Sequence, residues 1–347
     1  MTDALRAIPA QPTGTTWPTG AWPVGELPLK TDRDELGRLV DNAFGPAAEL
    51  GETHALVAIA GGGLVLERYA PGFSCETPCP SWSMAKSITH ALVGILAGDG
   101  LIDIHAPARV AEWQARDDPR RAITLDQLLR MSSGLAFLEA YIADEPSDVI
   151  EMLWGKGKDD VGAFAASFPL AHRPGTFWSY SSGTTNIVAR LAADVVGARG
   201  PAFETFMRER LFEPIGMKSP EPKFDAAGTF IGSSFCFATA RDFARFGLLY
   251  LRGGVWNGVR ILPEGWVDYA RTSTFQQTTE QGRYGAHWWL GIAGPGSFSA
   301  NGYEGQFVVV DPGRDLVIVR LGKTSAEISD RVKSWLRQVA ECFPLAQ

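Results

Sequence analysis

The chain has 347 residues, 45% of them hydrophobic and 20% charged, with four cysteines and a formal net charge of −7. That length can bury a core in one large domain or two, and so few charges of net acidic sign exclude a disordered chain and argue against a nucleic-acid partner. No apolar run approaches the ~18–20 residues of a membrane span, and four cysteines are too few to staple a chain of this size.

Residues 1–30, rich in Pro, Gly, Thr and Trp, read as an extended arm anchored by Trp17 and Trp22. They show no basic start followed by an apolar core of signal-peptide length, so a cytoplasmic location with free thiols is expected. A Cys75–Cys79 disulfide stays open as the alternative. A short helix is predicted over Asp34–Phe44. His54–Tyr69 then holds two apolar, β-rich runs around Gly61-Gly62-Gly63, which predicts a hairpin.

The middle of the chain carries mainly helix signals, over Thr124–Met131, Asp148–Trp154, Gly183–Val196 and Pro201–Phe212. Another helix is predicted over Ala240–Arg252, where Thr239 and Asp242 have the spacing of a capping box. His287–Ile292 is a strand candidate, and Gln306–Arg320 repeats the hairpin pattern around Asp311-Pro312-Gly313. Ile328, Val332, Trp335, Leu336, Val339 and Phe343 fall at helical spacing and close the chain with an amphipathic helix. Strands at both ends with helices between them predict an α+β fold: one antiparallel sheet completed by both termini, with helices packed on it and an all-helical subdomain inserted. The predicted division is an α/β part over 31–104 and 225–347, and a helical part over 105–224.

Common catalytic signatures are missing: there is no Gly-x-Ser-x-Gly elbow, His-Glu-x-x-His, phosphate loop or dinucleotide fingerprint. The five histidines have no zinc-like spacing, and Cys75-x-x-x-Cys79 has no second pair to complete a site, so neither a metal nor a cofactor is expected. The informative segment is Ser83-Met84-Ala85-Lys86, which opens a strongly apolar helical run. One helical turn puts residues i and i+3 on one face, so the Ser83 hydroxyl and the Lys86 amine can approach. A serine hydroxyl needs a base to become a nucleophile, and burial can lower a lysine's pKa until its amine serves as one. Helix starts leave their first N–H groups without intrahelical acceptors, which suits the Ser83 N–H to an oxyanion. The competing reading of the four residues is a helix-capping serine beside a snorkelling lysine.

Four further segments accompany that motif in order: Thr124–Leu135, Pro174–Gly183, Ala238–Gly247 and Gly302–Gln306. With them, the chain resembles the serine β-lactamase and penicillin-recognising enzyme superfamily, in its class C-like branch of carboxylesterases, D-amino-acid peptidases and 6-aminohexanoate-dimer hydrolases. The resemblance implies that Tyr180 exchanges protons with the Ser83–Lys86 pair, a role that suits a phenol near a cation. The family's Tyr-x-Asn is here Tyr180-Ser181-Ser182, so Ser182, or Asn186 one turn further on, is expected to meet an acyl amide of the substrate. The family's Lys-Thr-Gly or His-x-Gly strand corresponds to Asn301-Gly302-Tyr303-Glu304-Gly305-Gln306, which lacks the basic residue. The Tyr303 N–H is then the second oxyanion donor, with Gly302, Glu304 and Gly305 lining the substrate.

The expected activity is a serine hydrolase acting on a small-molecule carboxylic ester or linear amide. β-Lactamase or D-amino-acid/D,D-peptidase activity is the alternative, and a non-catalytic binding protein of penicillin-binding type is the rival from another class.

Overall fold

A computed structural model of the protein describes residues 5–45, 49–141, 146–274 and 283–346. Strands β1 (Glu52–Ala60) and β2 (Gly63–Tyr69) form the first hairpin, with Ala60 opposite Gly63. Gly61 and Gly62 are therefore its two central residues, at φ 57° and 77°. That left-handed pair matches the twist of the flanking strands, and glycine adopts it at no steric cost.

Five further strands come from the C-terminal third: β3 (Arg283–Tyr284), β4 (Trp289–Leu290), β5 (Phe298–Gly302), β6 (Gln306–Asp311) and β7 (Leu316–Lys323). The sheet order is β2-β1-β7-β6-β5-β4-β3, antiparallel throughout. The two ends of the chain meet at β1 and β7, where Leu56 lies opposite Arg320. The strand candidate at His287–Ile292 shrinks to Trp289–Leu290, because His287 itself takes a left-handed φ of 54°.

The chain divides into two compact units. The first comprises Met1–Met84, Phe212–Glu221 and Phe237–Gln347; the second comprises Ala85–Leu211 and Pro222–Cys236. The first division falls earlier than position 104, where the sequence placed it, because the apolar helix Ala85–Gly98 packs against the helix Ser182–Val196.

In the sheet unit, alternation along the strands sends Leu56, Ala58, Phe307, Val309, Leu316 and Ile318 to one face. There they pack with Leu36, Leu39, Val332, Trp335, Leu336 and Val339 of the helices Arg33–Phe44 and Ser329–Glu341. Each such fully buried aliphatic side chain contributes ~1.5–3 kcal/mol. The opposite face takes the helix Ala240–Leu251, which comes so close that a Cβ on Gly247 would stand 2.6 Å from Val317. Only half of the predicted capping box forms there. The Thr239 hydroxyl accepts from the Asp242 N–H, while the Asp242 carboxylate takes the N–H groups of Lys218 and Ser219 and an ion pair with Arg245. The N-terminal arm lies on this unit: Trp22 is buried, Trp17 packs on Trp256 at 5.0 Å, and Arg245 donates to the carbonyls of Pro18 and Gly20.

In the helical unit, Ser182–Val196 is central and touches the helices Ala85–Gly98, Leu125–Leu129, Asp148–Trp154 and Val161–Ala166. Its ends are fixed by the Ser181 hydroxyl accepting from the Thr184 N–H and by Gly197 at φ 69°. The four cysteines are free thiols, so no Cys75–Cys79 bridge forms. Among the described residues, no helix is long and apolar enough to cross a membrane and no cluster of ligands could hold a metal ion.

Candidate active site

Ser83 lies in the short 3-10 turn Trp82–Met84, which runs directly into the helix Ala85–Gly98 and so places Lys86 three residues on in one helical segment. The turn begins with Trp82 at φ 45°, a left-handed backbone that a bulky side chain seldom adopts and that concentrates at functional sites. Within the sheet unit the neighbour of this turn is the end of β5. Gly302 approaches the Ser81 carbonyl so closely that a Cβ would stand 2.3 Å from it, and the Trp82 ring meets Tyr303 edge-on at 5.6 Å. The turn that carries Ser83 and the turn Tyr303–Gly305 are thus held side by side. Glycine at 302 is a requirement of that approach.

Tyr303 is half exposed, and Glu304 adopts φ 59° inside its turn. The Glu304 backbone is committed inward, its carbonyl accepting from the Thr324 N–H at 2.9 Å and from Gln306 Nε2 at 3.3 Å. Gly305, at φ 84°, leaves room for the Arg320 guanidinium, which a Cβ would meet at 2.3 Å.

In the helical unit, Lys86 is 1% exposed. Its Nζ donates to Ser182 Oγ and to the Ser233 carbonyl, each at 3.0 Å, and stands over the Tyr180 ring, 4.7 Å from its centroid. Burial pulls the lysine down to about 8, and the Glu139 carboxylate opposes that shift in part. A neutral amine has two hydrogens, which these two acceptors can take, and one lone pair, which is what a serine proton needs.

Ser182 passes the contact on. Its Oγ donates to Glu139 Oε1 and its N–H to Glu139 Oε2, both at 2.7 Å, so the carboxylate sits on the first turn of the Ser182–Val196 helix, where the dipole favours negative charge. The Tyr141 hydroxyl donates to the same Oε1 at 2.7 Å, and the loss of solvent together with that carboxylate pushes its phenol well above the ordinary tyrosine range. Met131 supports the strip that holds Tyr180: its carbonyl accepts from the Ser179 N–H at 2.9 Å, and its sulfur lies 3.4 Å from the Ser181 nitrogen.

The structure thus places Lys86, Tyr180 and Ser182 together, and Ser83 with Gly302 and Tyr303. Asn186 departs from its expected part. It is completely buried, its Nδ2 faces Met152 Sδ at 3.4 Å, and its Oδ1 accepts from the Ser233 N–H at 3.1 Å. A side chain engaged at both ends supports the Ser233 peptide rather than a substrate amide.

Sequence reasoning missed Glu139, Ser233, Gln306 and Arg320. Glu139 stands in an irregular stretch 43 residues before its Ser182 partner, and no pattern marks it. Arg320 did leave a signal, one charge inside the apolar run Leu316-Val-Ile-Val-Arg-Leu321.

Residues 48–341 match the family model described as Beta-lactamase. A 6-aminohexanoate-dimer hydrolase from Paenarthrobacter ureafaciens is 28% identical over 294 residues, a span of 78% of this chain and 72% of that protein. Among solved structures, a candidate 6-aminohexanoate-dimer hydrolase from Bacillus anthracis superposes with a TM-score of 0.75 at 24% identity, over 93% of this chain and 87% of that one. A family VIII carboxylesterase superposes with a TM-score of 0.69 at 17% identity, over 92% of this chain and 99% of its own.

Proposed function

This chain belongs to the Beta-lactamase family, and on that premise we propose that it is a serine hydrolase that cleaves a carboxylic ester or a small linear amide through an acyl-enzyme on Ser83. The observation that carries the reading is the buried Lys86 amine, held at about 8 and one helical turn beyond a serine. In this reading the Ser83 Oγ attacks the acyl carbonyl while its proton passes to the Lys86 amine. The tetrahedral oxyanion is met by the N–H groups of Ser83 and Tyr303. Tyr180, under the Lys86 ammonium, returns a proton to the departing alcohol or amine, and water then releases the acid by the reverse path.

The relatives named above support an ester or linear amide as the substrate class. The strip Asn301–Gln306 contains no Lys or His to pair with a substrate carboxylate, which weighs against a β-lactam or a D,D-peptide. The test is a side-by-side assay of short and long p-nitrophenyl esters, linear amides and nitrocefin, with Ser83→Ala as control. Turnover of esters or amides that vanishes in Ser83→Ala supports the reading, and rapid hydrolysis of nitrocefin alone overturns its substrate class.

A further inference from the structure

Arg320 is 0% exposed in the middle of β7, between β1 and β6. Among the described residues no carboxylate pairs with it. Its donors go to backbone and hydroxyl oxygens: Nη1 to the Gly305 carbonyl at 2.8 Å, Nη2 to the carbonyls of Leu50 and Glu52 at 3.1 Å, and both Nη2 and Nε to Thr53 Oγ1 at 3.2 and 3.3 Å. Burial lowers the guanidinium to about 10, so it stays charged at neutral pH. A charge without a counter-ion is costly in a core and is retained only where many oriented dipoles satisfy it. Two glycines make the room, since a Cβ on Gly305 would stand 2.3 Å from Nη1 and one on Gly322 would stand 2.6 Å from Cζ.

The object held by this arrangement is the turn after β5. Gln306 completes the grip from a buried position, with Nε2 donating to the carbonyls of Gly322, Tyr303 and Glu304 at 2.6, 3.2 and 3.3 Å and Oε1 accepting from the Gly322 N–H at 3.0 Å. The carbonyls of three successive residues, Tyr303, Glu304 and Gly305, are therefore all drawn inward. Peptide units are planar, so fixing these carbonyls fixes the N–H groups of Glu304, Gly305 and Gln306, and it anchors Tyr303, whose own N–H lies on the preceding peptide, from its C-terminal side.

We propose that Arg320 is a positioning residue that, with Gln306, clamps the Tyr303–Gly305 turn and so holds the Tyr303 backbone in the place from which its N–H meets the oxyanion. The inference rests on the role given to Tyr303 above. It separates Arg320 from an ordinary core residue, whose loss lowers stability and leaves the rate per folded molecule unchanged.

The test uses the full chain with Arg320→Met and Arg320→Lys, the second keeping the charge and most of the volume in case the first does not fold. Two readouts are taken: amide hydrogen exchange over residues 302–306, and kcat and KM for a p-nitrophenyl ester under conditions where each variant is fully folded. Exchange at 302–306 is expected to quicken while strand β1 stays protected. kcat is expected to fall by about 10–100-fold with KM within about twofold, because a misaimed oxyanion donor costs the transition state and not substrate binding. Arg320→Lys is expected to lie between wild type and Arg320→Met. Unchanged exchange at 302–306 overturns the clamp, and an unchanged kcat in folded variants overturns the positioning role. If the wild-type chain shows no Ser83-dependent turnover, the hydrolase reading and with it the oxyanion role are overturned, whereas normal wild-type turnover with unmoved Arg320 variants overturns this inference alone.

Discussion

In the sheet unit the candidate chemistry combines backbone donors with a single side chain, Ser83, whereas in the helical unit it is carried by side chains throughout. At the Tyr303 turn the side chains of Arg320 and Gln306 face inward and serve the backbone's geometry. The helical unit does the opposite: the backbone of Ser233 and the first turn of Ser182–Val196 serve the side chains of Lys86 and Glu139. An oxyanion needs fixed dipoles that cost no reorganisation, and a proton relay needs groups whose affinity for protons has been moved toward neutrality.

The same contrast explains what could be read from the sequence. Ser83 and Lys86 stand out because their chemistry belongs to residue types at a spacing, and Tyr180 was found through the family resemblance. Both hairpins and the closing helix were legible from alternation and periodicity, and they brought β1 beside β7 as expected. A backbone donor has no residue type, so the turn at Tyr303 was located only through its glycines and the family resemblance. Glu139 reaches Ser182 from an irregular segment whose path no local pattern describes. Asn186 illustrates the converse error, a polar type at an inviting spacing that the fold uses to support Ser233. The divide at Met84 was missed because the helix Ala85–Gly98 is apolar on nearly every face, and its neighbours cannot be inferred from its own pattern.

The largest effect separating the two halves is expected at the nucleophile. Ser83→Ala should lower kcat by at least about 10⁴-fold with the fold intact by circular dichroism, and retained turnover would remove the serine from the account. Lys86→Met should cost nearly as much, on the order of 10³–10⁴-fold, since it deletes the base, while Tyr180→Phe should cost about 10²–10³-fold. Measured with esters of good and poor leaving groups, the Tyr180→Phe loss should be greater for the poor one. An equal loss for both would argue against Tyr180 as the donor to the leaving group.

A subtler effect concerns proton affinity. Lys86 must be neutral to accept the serine proton, so kcat/KM should rise with pH through about 8. Glu139→Gln removes a charge that favours the ammonium, so this limb should move to lower pH; a shift to higher pH would contradict the role given to Glu139. The smallest effect is on stability. The folded state holds the lysine at about 8 against an ordinary 10.5, so between those values the unfolded chain binds the extra proton and stability rises with pH. Chemical denaturation of wild type should show that rise relative to Lys86→Met, and parallel curves for the two proteins would contradict a depressed Lys86.

The central claim is that Ser83 is an activated nucleophile, and intact-protein mass spectrometry after exposure to a fluorophosphonate tests it most directly. The account predicts a single phosphonyl adduct on wild type that maps to Ser83, forms slowly in Lys86→Met and is absent from Ser83→Ala. A wild-type protein that gains no adduct, or one whose adduct persists in Ser83→Ala, would contradict it.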